Sequence, residues 1–206
     1  MEPSLDGHAA PVADFLFSPS DPSALESVQF SDASYDPAEA GITAVAWDLG
    51  DGTTAIGSSP THRYGADGEY RARLTAATAD GRTSSITRIV TVRTHDVAIV
   101  KLNVPSSVRP GETHPISVAV RSARYPETVQ VELFRNAEVE PLATLIQGLA
   151  ANEVVSFGFA YPFTVADASA VTVTFHAVAT VVGARDAHPG DNVAVAPPTR
   201  VGPGAA

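Results

Sequence analysis

Carboxylates and histidines are the side chains of this sequence whose types first suggest chemistry. Asp48 and Asp51 alternate with glycines as in a cation-binding loop, but the further acidic ligands and the bidentate glutamate of an EF-hand are missing. The six histidines show neither a His-Glu-x-x-His nor a His-x-His spacing, so they predict no metal site. We therefore interpret Asp51-Gly52 as the turn of a tight hairpin, with positive φ angles at both positions.

Nucleophilic and phosphate chemistry also lack a signature in the sequence. There is no Gly-x-Ser-x-Gly elbow and no glycine loop of the kind that cradles phosphate. The absence of cysteine removes thiol catalysis, disulfides and most structural zinc sites. A Ser-His-Asp arrangement would form only in the fold, and no site is visible, so we predict that the protein is not an enzyme.

Charge and hydropathy exclude two classes of partner. The net charge is −10 with no basic stripe, whereas nucleic acids and anionic lipids are bound by clustered positive charge. The longest apolar run, at residues 171–182, contains threonine and histidine and is too short to cross a bilayer. The first residues have neither the basic nor the apolar region of a signal peptide. We expect no nucleic-acid partner, no membrane insertion and no signal peptide in this chain.

The elements that must position these side chains are strands. Apolar residues alternate with polar ones along most of the chain, Asp-Gly pairs separate the runs, and helix signals are nearly absent. The sequence therefore predicts an all-β protein with two tandem immunoglobulin-like β-sandwich domains. The predicted boundaries are an N-terminal arm at 1–11, a sandwich at 12–93, a short linker at 94–95, a second sandwich at 96–195 and a Pro/Gly-rich C-terminal tail at 196–206.

Four side chains are expected to organise the core of the first sandwich. Trp47 lies on the predicted third strand, where immunoglobulin-like folds pack a tryptophan at the centre. Phe30 and Leu74 occupy inward positions of their alternating strands. Tyr70 begins a late strand after Gly68, the place of a tyrosine corner whose hydroxyl bonds back to the nearby backbone.

The first half of the chain resembles the PKD (polycystic kidney disease) domain over about residues 10–93. The motifs that carry the resemblance are Phe30-Ser-Asp-Ala-Ser-Tyr-Asp-Pro37, Trp47-Asp-Leu-Gly-Asp-Gly52, Pro60-Thr-His-Arg-Tyr64 and Gly68-Glu-Tyr-Arg-Ala-Arg-Leu-Thr75. Leu49 stands where the family usually has phenylalanine, while the order and spacing of the motifs agree.

The PKD resemblance also implies a calcium site. Some PKD domains hold calcium through the aspartate of the loop that corresponds to residues 34–39 and through the turn after the first strand. Carried over to this chain, the ligands would be Asp36 and Glu39 with Ser20 or Asp21. The residues themselves predict no cofactor, and calcium is the one ion that the resemblance implies.

The second half resembles the CARDB group, which are small immunoglobulin-like adhesion domains of bacterial surface proteins. The motifs are Asp96-Val97, Arg109-Pro-Gly-Glu112, Val129-Gln-Val-Glu-Leu-Phe134, Leu149-Ala-Ala-Asn152 and Gly190-Asp-Asn192. Residues 122–128 depart from the pattern, because the family has an Asn-x-Gly bulge at that point.

Both resemblances imply a non-catalytic module outside the cell or at the cell surface, which acts as a spacer, adhesion or protein-interaction unit. Two alternatives stay open. The first alternative is a structural subunit that self-assembles into a filament, sheath or lattice through residues 1–11 and 196–206. The second is a polysaccharide-targeting module of a secreted enzyme. Tyr125, in the loop that departs from the CARDB pattern, is the aromatic side chain expected to be an exposed contact.

Overall fold

The computed structural model describes residues 9–202, and the chain divides into two compact units, Met1–Thr94 and His95–Ala206. Strands make up 54% of the structure and helices 4%, which confirms the all-β prediction. Each residue of the predicted 94–95 linker is bound to its own unit. Thr94 Oγ1 donates to Asp67 Oδ1 at 2.6 Å in the first unit, and His95 Nδ1 lies 2.7 Å from Glu127 Oε1 in the second.

The described part of the first unit, residues 9–94, forms seven strands in two antiparallel sheets. The strands are β1 (Phe15–Ser18), β2 (Val28–Asp32), β3 (Ile42–Asp48), β4 (Thr54–Ile56), β5 (Thr61–His62), β6 (Gly68–Thr78) and β7 (Thr83–Val92). The first sheet has the order β1-β2-β5 and the second the order β4-β3-β6-β7. Their apolar faces share one core, as expected of a β-sandwich.

Aromatic rings from both sheets meet at the centre of this core. The ring of Trp47 lies 5.1 Å from that of Phe15 and 5.5 Å from that of Phe30, at the tilted angles that aromatic pairs prefer. The Trp47 Nε1–H donates to the Gly57 carbonyl at 2.8 Å, so the one polar group of the indole is satisfied. Leu74 is fully buried beside them.

The connection between β3 and β4 corrects the hairpin prediction. It runs over five residues, 49–53, and is closed by the Leu49 N–H donating to the Thr53 carbonyl at 2.9 Å. The positive φ angles lie at Gly50 and Gly52, not at Asp51. A side chain at position 50 would lie 2.6 Å from the backbone nitrogen of Arg71, so glycine is required there by close approach as well as by φ.

Two stacked tyrosines of the first unit bind backbone carbonyls through their hydroxyl groups. The Tyr70 hydroxyl donates to the Ala66 carbonyl at 2.8 Å, which is the backbone bond of a tyrosine corner. Tyr64 stacks on Tyr70 at 4.1 Å and donates to the Leu49 carbonyl at 2.9 Å. Burial raises the pKa of Tyr64, so this hydroxyl remains a donor.

Residues 95–202 of the second unit form ten strands, one short α-helix and one 3₁₀ turn. The elements are β8 (Val97–Asn103), β9 (Ser107–Val108), β10 (Thr113–Ser122), β11 (Glu127–Arg135), β12 (Ala143–Leu149), β13 (Val154–Pro162), α1 (Val165–Ser169), β14 (Thr172–Val173), β15 (Phe175–Val181), the 3₁₀ turn Pro189–Asp191, β16 (Val193–Val195) and β17 (Thr199–Val201). The sheets have the orders β13-β10-β8, β12-β11-β15-β16 and β14-β17-β9.

The end of the described chain is part of this fold, which corrects the predicted tail at 196–206. Thr199 and Val201 are buried, and β17 pairs antiparallel with β14 and parallel with β9. Residues 196–202 therefore belong to the second unit. Residues 1–8 of the predicted arm and 203–206 of the predicted tail lie outside the described residues.

Candidate functional site

The predicted calcium ligand Asp36 is already bound within the first unit. Its two carboxylate oxygens accept from Arg82 Nη1 and Nη2 at 3.0 and 2.9 Å, and from the N–H groups of Ala38 and Ala40 at 3.1 and 2.8 Å. The Arg82 guanidinium holds the pKa of Asp36 at about 2. A cation at Asp36 would have to displace or repel this arginine.

The other predicted ligands do not join Asp36. Among residues 9–202, Asp36, Glu39 and Asp21 do not form a trio whose oxygens lie within 4.8 Å of one another. Glu39 is exposed in a left-handed turn with φ of 61°, and Ser20 is exposed. The arrangement does not favour calcium at this loop, where the ion stays a prediction.

Tyr125 is not the freely exposed contact that the sequence suggests. It is half-buried, and its ring lies 5.5 Å from the ring of His95 at an angle of 45°. The tyrosine with the greatest exposure among the described residues is Tyr35, at 58%.

A cluster of three aspartates lies in the second unit. Asp96 immediately precedes β8, Asp186 follows β15, and Asp191 ends the 3₁₀ turn. One carboxylate oxygen from each lies within 4.8 Å of the other two. Asp96 and Asp186 are half-buried and Asp191 is exposed, so the cluster opens to solvent on one side.

Backbone pairing brings these residues together across the unit. Asp186 forms a parallel bridge with His95, and the Ala187 N–H donates to the His95 carbonyl at 2.8 Å. The two oxygens of Asp186 accept from the N–H groups of Val97 at 2.9 Å and of His188 at 2.7 Å. Asp186 is therefore held in place by the start of β8 and by its own loop.

Two buried oxygens, one of the cluster and one of the residue after Asp191, have no hydrogen-bond partner. They are Asp96 Oδ1 and Asn192 Oδ1. No other side-chain nitrogen or oxygen of the described residues is both buried and without a hydrogen-bond partner. Asn192 follows Asp191, is only 6% exposed, and lines a cavity of about 400 Å³ together with Asp186. Buried polar atoms are normally paired, so both oxygens are available to accept from water or to bind a ligand.

The charges at the cluster oppose one another. Burial raises the pKa of the Asp96 carboxyl, and the negative charges of Asp191 and Asp186 raise it further. His188 and Arg121 oppose this rise in the pKa of Asp96. His188 Nδ1 lies 3.7 Å from Asp96 Oδ1, and its side chain is 54% exposed.

Comparison with known families accounts for the first unit. The sequence profile of the PKD domain matches residues 8–94, which span the two sheets described above and the four motifs found in the sequence. Residues 8–94 belong to the PKD domain family.

Relatives of this PKD domain occur in proteins of Vibrio species, among them a collagenase and a metalloprotease. A microbial collagenase of Vibrio alginolyticus is 37% identical over 67 residues, which are 32% of this chain and only 8% of the collagenase. Two solved structures are 29% identical and cover 42% of this chain, each with a TM-score of 0.38. They are the PKD1 domain of the Vibrio cholerae metalloprotease PrtV, matched over its full length, and the PKD1 domain of Vibrio anguillarum Epp, matched over 98%.

PKD domains are generally non-catalytic accessory modules. Residues 9–202 contain no helix with the length and apolarity needed to cross a membrane. The CARDB resemblance of the second unit stays a prediction.

Sequence reasoning did not find the aspartate cluster. Asp96, Asp191 and Asn192 stand within motifs that carry the CARDB resemblance, but the spacing along the chain does not connect them, and Asp186 lies outside every motif. The signal that joins them is the bridge between His95 and Asp186, which only the fold provides.

Proposed function

We propose that this chain is a non-catalytic accessory module of a secreted bacterial protein, and that it works outside the cell as a spacer and adhesion unit. The observation that carries the proposal is the PKD domain at residues 8–94.

The polar side chains of the PKD domain support this function because they are used within the domain. Asp36 pairs with Arg82, and His62 Nε2 lies 2.7 Å from Asp51 Oδ2 at the β3–β4 connection. The Tyr70 hydroxyl is bound to the backbone. These groups hold loops in place, as a rigid spacer requires.

Exposed apolar and aromatic side chains of the PKD domain are the candidate contacts for adhesion. Ile56 is 85% exposed, Leu16 65% and Tyr35 58%. Apolar and aromatic side chains anchor most protein contacts, so these three residues are the ones to test. The collagenase relative makes a fibrous protein the first polymer to test.

A pull-down with insoluble collagen tests the adhesion role, with cellulose and chitin run in parallel. We expect the intact chain to be retained on collagen, and Ile56→Ser and Leu16→Ser to reduce retention. Val139→Ser is the matched control, because Val139 is 88% exposed but lies in the second unit. Retention on the polysaccharides alone would replace this proposal with polysaccharide targeting, and equal loss in all variants would show that the PKD surface is not the contact.

Light scattering over a wide concentration range separates the module from a self-assembling subunit. A monomer at every concentration supports the spacer and adhesion role, whereas growth with concentration would favour assembly. The truncation that tests the terminal arms should remove residues 1–8 or 203–206 only. Removing residues 196–202 would delete β17 and unfold the second unit rather than test an arm.

A further inference from the structure

We propose that Asp96, Asp186, Asp191 and the side-chain oxygen of Asn192 form a calcium-binding site in the second unit. This site is separate from the calcium loop that the PKD resemblance implies, and it does not depend on the adhesion role proposed above.

The spacing of the carboxylates fits one shared ion. Calcium is bound at 2.3–2.6 Å by oxygen atoms, so two ligands on opposite sides of the ion are about 4.6–5.2 Å apart. One oxygen of each of Asp96, Asp186 and Asp191 lies within 4.8 Å of the others. All three can therefore contact the same ion without a large movement of the backbone.

The unpartnered oxygens provide an independent argument for a ligand. Asn192 is 94% buried, given its exposed fraction of 6%, and its Oδ1 accepts no hydrogen bond in the structure. Asp96 Oδ1 also accepts no hydrogen bond. A buried carboxylate or amide oxygen without a donor destabilises the fold. A cation held by the cluster would contact Asp96 and Asp186, and Asn192 lines a cavity together with Asp186, which places its amide group beside the same carboxylate.

The chemistry of the ligands favours calcium among the common cations. The set consists of carboxylate and amide oxygens, whereas structural zinc sites use cysteine and histidine. Three carboxylates bring a formal charge of −3 to a site that opens to solvent at Asp191, where water can complete six to eight ligands. Magnesium requires shorter bonds in a nearly ideal octahedron and retains most of its water.

The framework around the site is already formed. Asp186 is oriented by the N–H groups of Val97 and His188, and the Asn192 carbonyl accepts from the Ala179 N–H at 2.8 Å. Ion binding would therefore require little ordering of the chain, and its free energy would appear directly as stabilisation of the second unit.

Calorimetric titration of the intact, chelator-treated chain with calcium chloride tests the site. We expect one ion per chain with a dissociation constant of about 10⁻⁴–10⁻³ M, the range of extracellular modules. Asp191→Asn and Asp96→Asn should each weaken binding by about tenfold or more, because each removes a charged ligand. Glu140→Gln is the matched control, since it removes an exposed carboxylate of the same unit outside the cluster.

Thermal unfolding locates the ion within the chain. Trp47 is the single tryptophan, so its fluorescence reports the PKD unit, while calorimetry reports both units. Calcium should raise the melting temperature of the second unit and leave the Trp47 transition unchanged. Asp96→Asn should fold normally in chelator, because it keeps the size of the side chain and removes a like charge, and it should lose the calcium-induced shift.

Three results would overturn the proposal. One is the absence of binding and of any shift at millimolar calcium, which would mean that water alone occupies the cluster. Another is unchanged affinity in Asp96→Asn and Asp191→Asn. The third is a calcium shift confined to the Trp47 transition and lost in Asp36→Asn, which would place the ion at the PKD loop instead.

Discussion

Gly50 and Gly52 in the β3–β4 connection offer a matched pair of substitutions. Both have positive φ angles, +86° and +90°. A Cβ at position 50 would lie 2.6 Å from the nitrogen and 2.8 Å from the oxygen of Arg71 in β6, whereas a Cβ at position 52 would meet nothing within 4 Å. Gly52→Ala should therefore introduce only left-handed backbone strain, about 1–2 kcal/mol. Gly50→Ala adds the displacement of a paired strand, about 1–3 kcal/mol more by analogy with overpacked cores.

Urea unfolding followed by Trp47 fluorescence measures the difference between the two variants. The signal is specific to the PKD unit, because Trp47 is the single tryptophan and is 2% exposed in its core. We expect the transition of Gly50→Ala at clearly lower urea than that of Gly52→Ala, with the same slope. Equal midpoints would refute the reasoning, because they would show that φ alone, and not the approach of β6, requires glycine at position 50.

Three further substitutions probe the same unit. Leu74→Ala empties a fully buried position and should lower the free energy of unfolding by about 2–5 kcal/mol in the fluorescence assay. Tyr70→Phe removes the hydroxyl bond to Ala66 and should lower it by about 0.5–1.5 kcal/mol, and an unchanged midpoint would deny the bond a role. The Arg82 guanidinium lowers the pKa of Asp36 from 3.8 to about 2, so the stability gained from this pair is complete above pH 3.8 and is lost as the pH falls towards 2. Asp36→Asn should flatten the fall of melting temperature in that interval, and parallel curves for parent and variant would contradict the assignment.

Alternation in the sequence predicted the strands well where one face is buried and the other is exposed. In β6 the side chains of Ala72 and Leu74 are buried while Arg71 and Arg73 are exposed, as their spacing predicts. This pattern depends only on the two-residue period of a strand, so a local reading of the sequence is sufficient.

Alternation alone does not locate the point at which a strand changes its partner. Residues 171–181 alternate without a break, which predicts one strand with Val171 facing inward. In the structure Val171 is 58% exposed with φ of 67°, and the run divides at Thr174. β14 pairs with β17, whereas β15 pairs with β11 and β16. A two-residue period says which side chains share a face but not which strand lies alongside.

The candidate sites illustrate the limits of sequence in a different way. Asp36 appeared to be a free carboxylate because Arg82, its partner, is far from it in the chain. Asp96 and Asp186 appeared unrelated for the same reason. The group that lies beside a carboxylate depends on which distant segments the fold brings together. No local pattern in the sequence records that pairing.

The parallel pairing of β17 with β9 determines how the second unit responds to tension. The N–H groups of Arg200 and Gly202 donate to the carbonyls of Ser106 and Val108 at 3.0 and 2.9 Å, and Thr199 Oγ1 donates to the Pro105 carbonyl at 2.7 Å. When residue 202 is pulled away from residue 95, β17 slides along β9 in shear, because the two strands run in the same direction. The three bonds then carry the load together instead of opening one at a time, so we expect β17 to act as a mechanical clamp for the unit.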